Sequence, residues 1–378
     1  MKMLIMWVFI ASFMVLSTVD SYATETRVSS MGGVGFYMRD NSNIFVYPGT
    51  FYSYQNQVIG ELRLKNNAAF YSIGVHLPVA SRTVIGVYLN SQLNLVIPPG
   101  VVNNISLDQA TDIFYGTKLS NFDLGVNLRI GMDKFTNDAD SLSESGRYFG
   151  LSAGISNDKM DLGLLVELPG VSMEQGRAES SWGGFGVGLN GRYWLAKNGK
   201  FQLLPLVHVY YGSSNREINP GGGAAILETD YSSLRLAAAL GINYELNSDN
   251  LLVIGLEAYG YSKNGAKVKD GIETSTSVST LPGIYLGIES KISDWLIGRL
   301  GAAQVFQSTS NYTKPQGGSE TETSSYATEF KMTFGVGLTF GQFILDAAIN
   351  EGLLFDGPNF ISGTQEPIAT RLSITYAF

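Results

Sequence analysis

The two side chains best suited to acid–base and nucleophilic chemistry near neutral pH, imidazole and thiol, are scarce in this chain. Its 378 residues include two histidines, His76 and His208, and no cysteine. Without cysteine there is no thiolate nucleophile, disulfide, thiolate metal site or lipoprotein anchor. Neither histidine lies in a recognisable nucleophile motif, so each is expected to be a hydrogen-bonding group on a strand rather than a base. Asp138-Ala139-Asp140-Ser141 with Glu144 offers oxygen donors for calcium, but it lacks the EF-hand spacing and central glycine. A solvated acidic loop is the expected reading. Gly184-Phe185-Gly186-Val187-Gly188 imitates a phosphate loop, yet it sits mid-strand with no helix following. No cofactor and no metal are expected, and the chain reads as a non-enzyme.

The charged residues that remain follow a pattern. When every alternating segment is read with its apolar face outward, the other face collects Glu61, Arg63, His76, Lys118, Arg129, Asp161, Glu167 and Arg192. It goes on to collect His208, Arg235, Glu257, Glu289, Arg299, Lys331 and Arg371. Turned toward lipid, each charge would cost roughly 2–4 kcal/mol near the midplane, so all are expected to face a lumen. Two roles are open to them: a salt-bridge lattice bracing a plugged barrel, or a solute path whose arginines attract anionic head groups.

Strands must position these residues. In the last stretch, Leu372, Ile374, Tyr376 and Phe378 fall on one face, and Arg371, Ser373, Thr375 and Ala377 on the other. Upstream, Phe330, Met332, Phe334, Val336, Leu338 and Phe340 alternate with Lys331, Thr333, Gly335, Gly337 and Thr339. Sixteen such segments are counted. The first eight are Tyr54–Leu64, Ala68–Leu77, Arg82–Ser91, Thr111–Leu119, Phe122–Met132, Arg147–Ile155, Met160–Leu168 and Gly184–Leu195. The second eight are Phe201–Tyr211, Tyr231–Leu246, Leu251–Ser262, Ser277–Ser290, Trp295–Phe306, Tyr326–Phe340, Phe343–Asn350 and Ile368–Phe378. Apolar residues make up 44%, with 44 Gly, 20 Tyr and 20 Phe, and no mature segment has the 18 or so unbroken apolar residues of a membrane helix. The expected fold is therefore all-β: a transmembrane, antiparallel, up-and-down β-barrel of about 16 strands, or 14 if the first two are dropped.

The connections alternate too. Short polar turns, such as 156–159, 247–250 and 291–294, are expected on the periplasmic side. Between them fall long loops at Gln92–Ala110, Asp133–Gly146, Pro169–Gly183, Gly212–Asp230, Lys263–Thr276, Gln307–Ser325 and Glu351–Pro367, expected to be extracellular. Lys2, an apolar run from Met3 to Leu16 and a Ser21-Tyr22-Ala23 cleavage site make residues 1–23 a signal peptide. Both mature termini are then periplasmic and the barrel occupies residues 51–378. A net charge of −8 argues against nucleic acid as a partner.

Two stretches carry resemblances. The final strand, ending on Phe378, resembles the C-terminal strand of bacterial outer-membrane barrels, which implies that Leu372, Ile374, Tyr376 and Phe378 are read by the assembly machinery. Residues 24–50 hold Met31-Gly32-Gly33-Val34-Gly35, then Asp40 and Asn43, then Pro48-Gly49. This run resembles the N-terminal segment of the long-chain fatty-acid transporter superfamily, although Tyr47 stands where that family has Asn, and its Ala is missing. The resemblance implies a Gly-rich hatch inside the barrel, with Arg39 and Asp40 pairing with inward charges. The expected function is an outer-membrane barrel, partnered by outer-membrane lipids, that passes a small and partly apolar solute through a hatch-gated lumen. The rivals are a general diffusion porin and a structural or adhesin barrel.

Overall fold

The structure, a computed structural model, describes residues 24–378 except 66–67, 94, 96–100, 103, 106, 199, 224 and 350–367. The expected signal peptide and the expected loop 351–367 lie outside these residues. The strands are β1 (Gln57–Lys65), β2 (Ala68–Ala80), β3 (Thr83–Gln92), β4 (Gln109–Leu119), β5 (Phe122–Asn137) and β6 (Leu142–Ser156). They continue with β7 (Met160–Gln175), β8 (Ala178–Tyr193), β9 (Ala196–Asn198), β10 (Phe201–Asn219), β11 (Leu227–Asn247) and β12 (Asn250–Val268). The last five are β13 (Glu273–Ser293), β14 (Leu296–Lys314), β15 (Thr321–Phe340), β16 (Phe343–Ile349) and β17 (Ala369–Ala377).

Each strand except β8, which pairs with β10, pairs antiparallel with the next, and β17 returns to β1 from Gln57↔Ala377 through Arg63↔Arg371. The three residues of β9 pair with β10 alongside β8, so both belong to one stave. The result is a closed, up-and-down barrel of sixteen staves. Closure leaves no edge at its seam, which lipid requires because it cannot hydrogen-bond a free backbone group. The fourteen-strand alternative is set aside, because β1 and β2 form a continuous ladder from Gln57↔His76 to Lys65↔Ala68.

The two-residue alternation sorts side chains between wall faces. On β6, Tyr148, Gly150 and Ser152 are buried inside while Phe149 and Leu151 are exposed outside. Leu164 is 50% exposed and Ile374 47% exposed. Apolar side chains at this exposure recur around the ring, far beyond what a soluble surface carries, and they form a lipid-facing belt.

Strand lengths depart from expectation at the end of the barrel opposite the chain termini. Asp133–Gly146, for example, is not a loop: β5 runs to Asn137, β6 starts at Leu142, and only residues 138–141 turn. The loops expected at Pro169–Gly183, Gly212–Asp230, Lys263–Thr276 and Gln307–Ser325 shorten in the same way. Beyond the lipid belt both faces of a strand can be polar, so the hydropathy alternation fades while the backbone ladder continues. Strand β1 begins at Gln57 rather than Tyr54, because Pro48–Ser53 forms a 3-10 turn.

Residues 24–54 form no strand. They hold helix α1 (Glu25–Ser30), capped by Thr24, and 3-10 turns at Val34–Tyr37, Asn41–Phe45 and Pro48–Ser53. Gly32 and Gly33 take left-handed backbone at φ 74° and 78°, which ends the helix without strain. Helix α1 touches β14 to β17, Val34–Tyr37 touches β11 to β13, and Pro48–Ser53 touches β3 to β7. A segment that reaches strands on all sides of a closed ring lies within it.

Candidate functional site

The inner segment approaches the wall where the wall has no side chains. At Gly125 and Gly163 a Cβ would collide with the carbonyls of Pro48 and Val46, and at Gly301 it would collide with the Met31–Gly32 backbone. At Gly49 it would meet the Ile155 and Ser156 backbone. Between these contacts Met31, Val34, Tyr37 and Met38 bury against Leu206, Ala239 and Val253. Ile44 and Phe51 bury against Ile59, Val84, Tyr88 and Phe114.

Two buried ionic nodes hold the segment, besides the pairs that Glu25 makes with Arg63 and Arg371. In the first, Arg192 of β8 donates Nε–H to Asp161 at 2.7 Å, Nη1–H to the Met38 carbonyl at 2.6 Å and Nη2–H to Asn43 at 2.9 Å. Its guanidinium lies 4.4 Å from the centre of the Tyr47 ring. Arg39 joins from the segment, 2.8 Å from Asp161 and 4.3 Å from the Trp194 ring centre. Asp161 thus accepts from one wall arginine and one segment arginine.

The second node is a buried chain of charges. Arg27 donates Nε–H and Nη2–H to the two oxygens of Glu289, each at 2.7 Å, and Nη1–H to Asp40 at 3.1 Å. Arg299 donates to Glu289 and to Asp346, each at 2.6 Å. Burial opposes the charge on Arg27, but Glu289, Asp40 and Asp346 together more than offset it and the pKa is raised. Burial also raises the Asp40 carboxyl, against the pull of Arg27. Asp40, expected to reach a wall charge, stays within the segment: it pairs with Arg27 and caps the Asn41–Phe45 turn in a reciprocal box with Asn43. Its short side chain is taken by the turn that it caps.

The other expected lumen residues do not form one cluster. Glu61, Arg63 and Arg371 gather around Glu25: Glu61 accepts its backbone N–H at 3.0 Å, and Arg371 lies 2.9 Å from its carboxylate, to which Arg63 is also paired. Lys331 borders the same space. Arg129 pairs with Asp112 at 2.6 Å, and Lys118 lies over the Tyr52 ring. Glu167 accepts from the phenols of Tyr148 and Tyr210, at 2.7 and 2.5 Å, and Arg235 lies over the Tyr210 ring. Glu257 accepts from Tyr285 at 3.0 Å.

Both imidazoles are engaged in hydrogen bonds. His76 meets Gln57 and the Tyr88 hydroxyl, at 2.8 and 2.9 Å, and His208 meets Asn190 at 2.6 Å. One Gly-x-Ser-x-Gly string is present, Gly150-Leu151-Ser152-Ala153-Gly154, but it lies mid-strand in β6 with no turn to expose the serine. Asp138 and Asp140 sit on the β5–β6 turn, whereas Glu144 is buried inside and accepts from Asn104 at 2.8 Å. The calcium constellation is therefore split.

Sequence reading missed Asp112 and Asp346. Each alternates with outward apolar residues, so the same period-two rule could have found them. It also missed Glu25 and Arg27, which lie in a short helix with no such alternation.

Two adjoining cavities open between the inner segment and the wall, of about 520 and 420 Å³. Both are bordered by Glu25, Ser29, Arg63, Gln92 and Arg371. Phe36, Phe45 and Val46 of the segment and Leu64, Phe70 and Phe334 of the wall supply apolar surface. Among the described residues, the charged lining is Arg63, Arg129, Lys331 and Arg371 against Glu25 and Glu61, so the described chamber carries more cations than carboxylates.

No protein-family model matches the chain, and comparison with curated proteins finds no match. Among solved structures, the toluene transporter TodX of Pseudomonas putida is 14% identical, with 95% of this chain and 99% of that chain covered and a TM-score of 0.39. A TodX deltaS2 mutant, described as a monoaromatic hydrocarbon channel, is 13% identical over 94% and 99% of the two chains, with a TM-score of 0.39. The alcaligin outer-membrane receptor FauA of Bordetella pertussis is 7% identical over 85% and 75%, with a TM-score of 0.41.

Proposed function

We propose that the chain is an outer-membrane transport barrel whose inner segment acts as a hatch, and that its solute is small, partly apolar and anionic. The lipid-facing belt supports the membrane setting. On this reading the chain termini are periplasmic and the long far-end hairpins extracellular. The observation that carries the reading is the chamber above the segment, where Arg63, Lys331 and Arg371 outnumber the facing carboxylates beside a phenylalanine-lined wall. An anionic group would gain charge-assisted hydrogen bonds there while its apolar body leaves water. A sixteen-strand barrel is wide enough for an aqueous channel unless something fills it, and residues 24–54 do. Arg192 anchors the segment away from the chamber, whereas Arg63 and Arg371 both hold its Glu25 and, with Lys331, border the solute path.

Reconstituted protein tests this directly. Ion conductance should be low in the full mature chain and rise at least tenfold on removal of Thr24–Thr50, with the barrel still folded. Liposomes should admit benzoate faster than benzylamine, and Lys331→Glu should narrow that preference. Unchanged conductance would make the chain a general porin, and equal rates for the two probes would remove the anionic solute.

A further inference from the structure

We infer that the outer face of β5 and β6, at the far rim of the lipid belt, binds the phosphate of an outer-leaflet lipid through Lys134 and Arg147. Both residues point outward. Their chain neighbours Phe135 and Tyr148 pack inside, in apolar clusters within the wall, while Lys134 and Arg147 are exposed. The register pairs Lys134 with Ser145 and Met132 with Arg147. The two cations are therefore diagonal neighbours on one face, with side-chain roots about 7–8 Å apart. One phosphate fits between two such long side chains.

Height places them at a head group. From Ile155, beside the near-end turn, to Arg147 is eight residues, about 27 Å along the strand and about 21 Å along the barrel axis at the usual tilt. Lys134 is a further two residues up. Below them lie the outward Phe149 and Leu151, and Met132 at 79% exposed marks the belt edge. These cations thus sit where an apolar belt about 25 Å tall gives way to water.

Neither cation has an ion-pair partner among the described residues. Two other outward cations do have carboxylates beside them: Lys269 meets Glu228 at 2.8 Å, and Lys267 stands opposite Asp230 on β11 and Glu273 on β13, whereas Lys263 stands alone opposite Leu234 and Ser277 with no second cation diagonal to it. Around Arg147 the next strand offers Gly170, paired in turn with Gly183. A Cβ at Gly170 would lie 3.6 Å from Arg147 Nε, so the guanidinium rests over a bare glycine surface that leaves room for a head group. The next outward carboxylate on that strand, Glu174, is about 14 Å further along it. Guanidinium and ammonium on one phosphate make the charge-assisted pairing that anionic lipids offer at a membrane surface.

The inference rests on the belt facing lipid, not on any transported solute. Native mass spectrometry of the full mature barrel, released from detergent with bis-phosphorylated lipid A, tests it. One lipid per barrel should survive activation, at least tenfold more abundantly than with the dephosphorylated lipid. Lys134→Gln with Arg147→Gln should abolish that difference, while Lys263→Gln, a distant outward cation, should keep it. The dephosphorylated comparison on unaltered protein decides the matter even if the double variant fails to fold. Equal retention of the two lipids, or undiminished retention by the folded double variant, overturns the inference. Full competition by millimolar inorganic phosphate also overturns it, because the site would then take free phosphate.

Discussion

Arg27 and Glu289, 262 positions apart in the chain, meet as a bidentate pair inside the barrel, with both N···O distances 2.7 Å. One sits on a six-residue helix and the other on a strand that a pure barrel would build without it. The pair ties the docking of the inner segment to a fixed point on the wall, and Arg299 and Asp346 extend the tie across two more strands.

Arg27→Ala should therefore loosen the segment more than it weakens the barrel. It strands Asp40 and Glu289 without their shared cation, a loss of about 3–5 kcal/mol for a buried pair. Added protease should cut within residues 24–54 much faster in the variant, while the heat-modifiable migration of the folded barrel stays. Arg27→Lys keeps the charge but not the two-pronged geometry and should fall between. Equal cutting of all three proteins would detach the pair from docking.

Docking should fail in alkali before the barrel does. Burial pushes the Tyr47 phenol up to about 12, and it also raises Tyr37 and Tyr54. A released segment would titrate its tyrosines near the ordinary value of about 10. Between about pH 10 and 12 the docked segment holds more protons than the released one, so its stability is complete below that window and falls as pH rises through it. Conductance recorded against pH should rise across the window, and a Tyr47→Phe variant should shift the rise upward.

Wall glycines under the segment should resist substitution where other lumen glycines do not. A side chain at Gly125 or Gly163 has no room beside the Pro48 and Val46 carbonyls. At Gly188 a Cβ would lie an ordinary 3.5 Å from Leu165. Gly163→Leu should open the lumen to ions, whereas Gly188→Ala should not. Similar conductance in both variants would show that the segment can move aside at no measurable cost.

The outward face should tolerate no charge in mid-belt. Leu164→Arg or Ile374→Arg should each destabilise the barrel by roughly 2–4 kcal/mol in a lipid folding titration. Ala237→Ser, inside, should change little. Matching losses on the two faces would mean that the exposed apolar side chains do not meet lipid.

Deleting Phe378 tests the terminal strand. Its N–H donates to the Asn56 carbonyl at 3.0 Å, beside the seam where β17 meets β1. If its ring is also read during assembly, the truncated chain should accumulate unfolded in the periplasm. Normal amounts of folded barrel would leave Phe378 with only its backbone contact.

The sequence by itself determined the barrel, because the period-two pattern is local. Leu372, Ile374 and Tyr376 against Arg371, Ser373 and Thr375 state which face meets lipid with no knowledge of the partner strand. The same pattern placed Arg192, Glu289 and Arg299 inward. It could not tell how far strands such as β5 run beyond the belt, since water on both faces removes the contrast that marks a strand. Nor could it pair the charges. Arg27 meets Glu289, Arg39 meets Asp161, and Asp40 turns back to Arg27 instead of the wall. Those choices depend on where a short helix and three 3-10 turns come to rest inside a closed ring. Wall glycines on β5, β7 and β14 set that path by leaving room for the backbone, and only tertiary structure brings Gly125 to Pro48 and Gly163 to Val46.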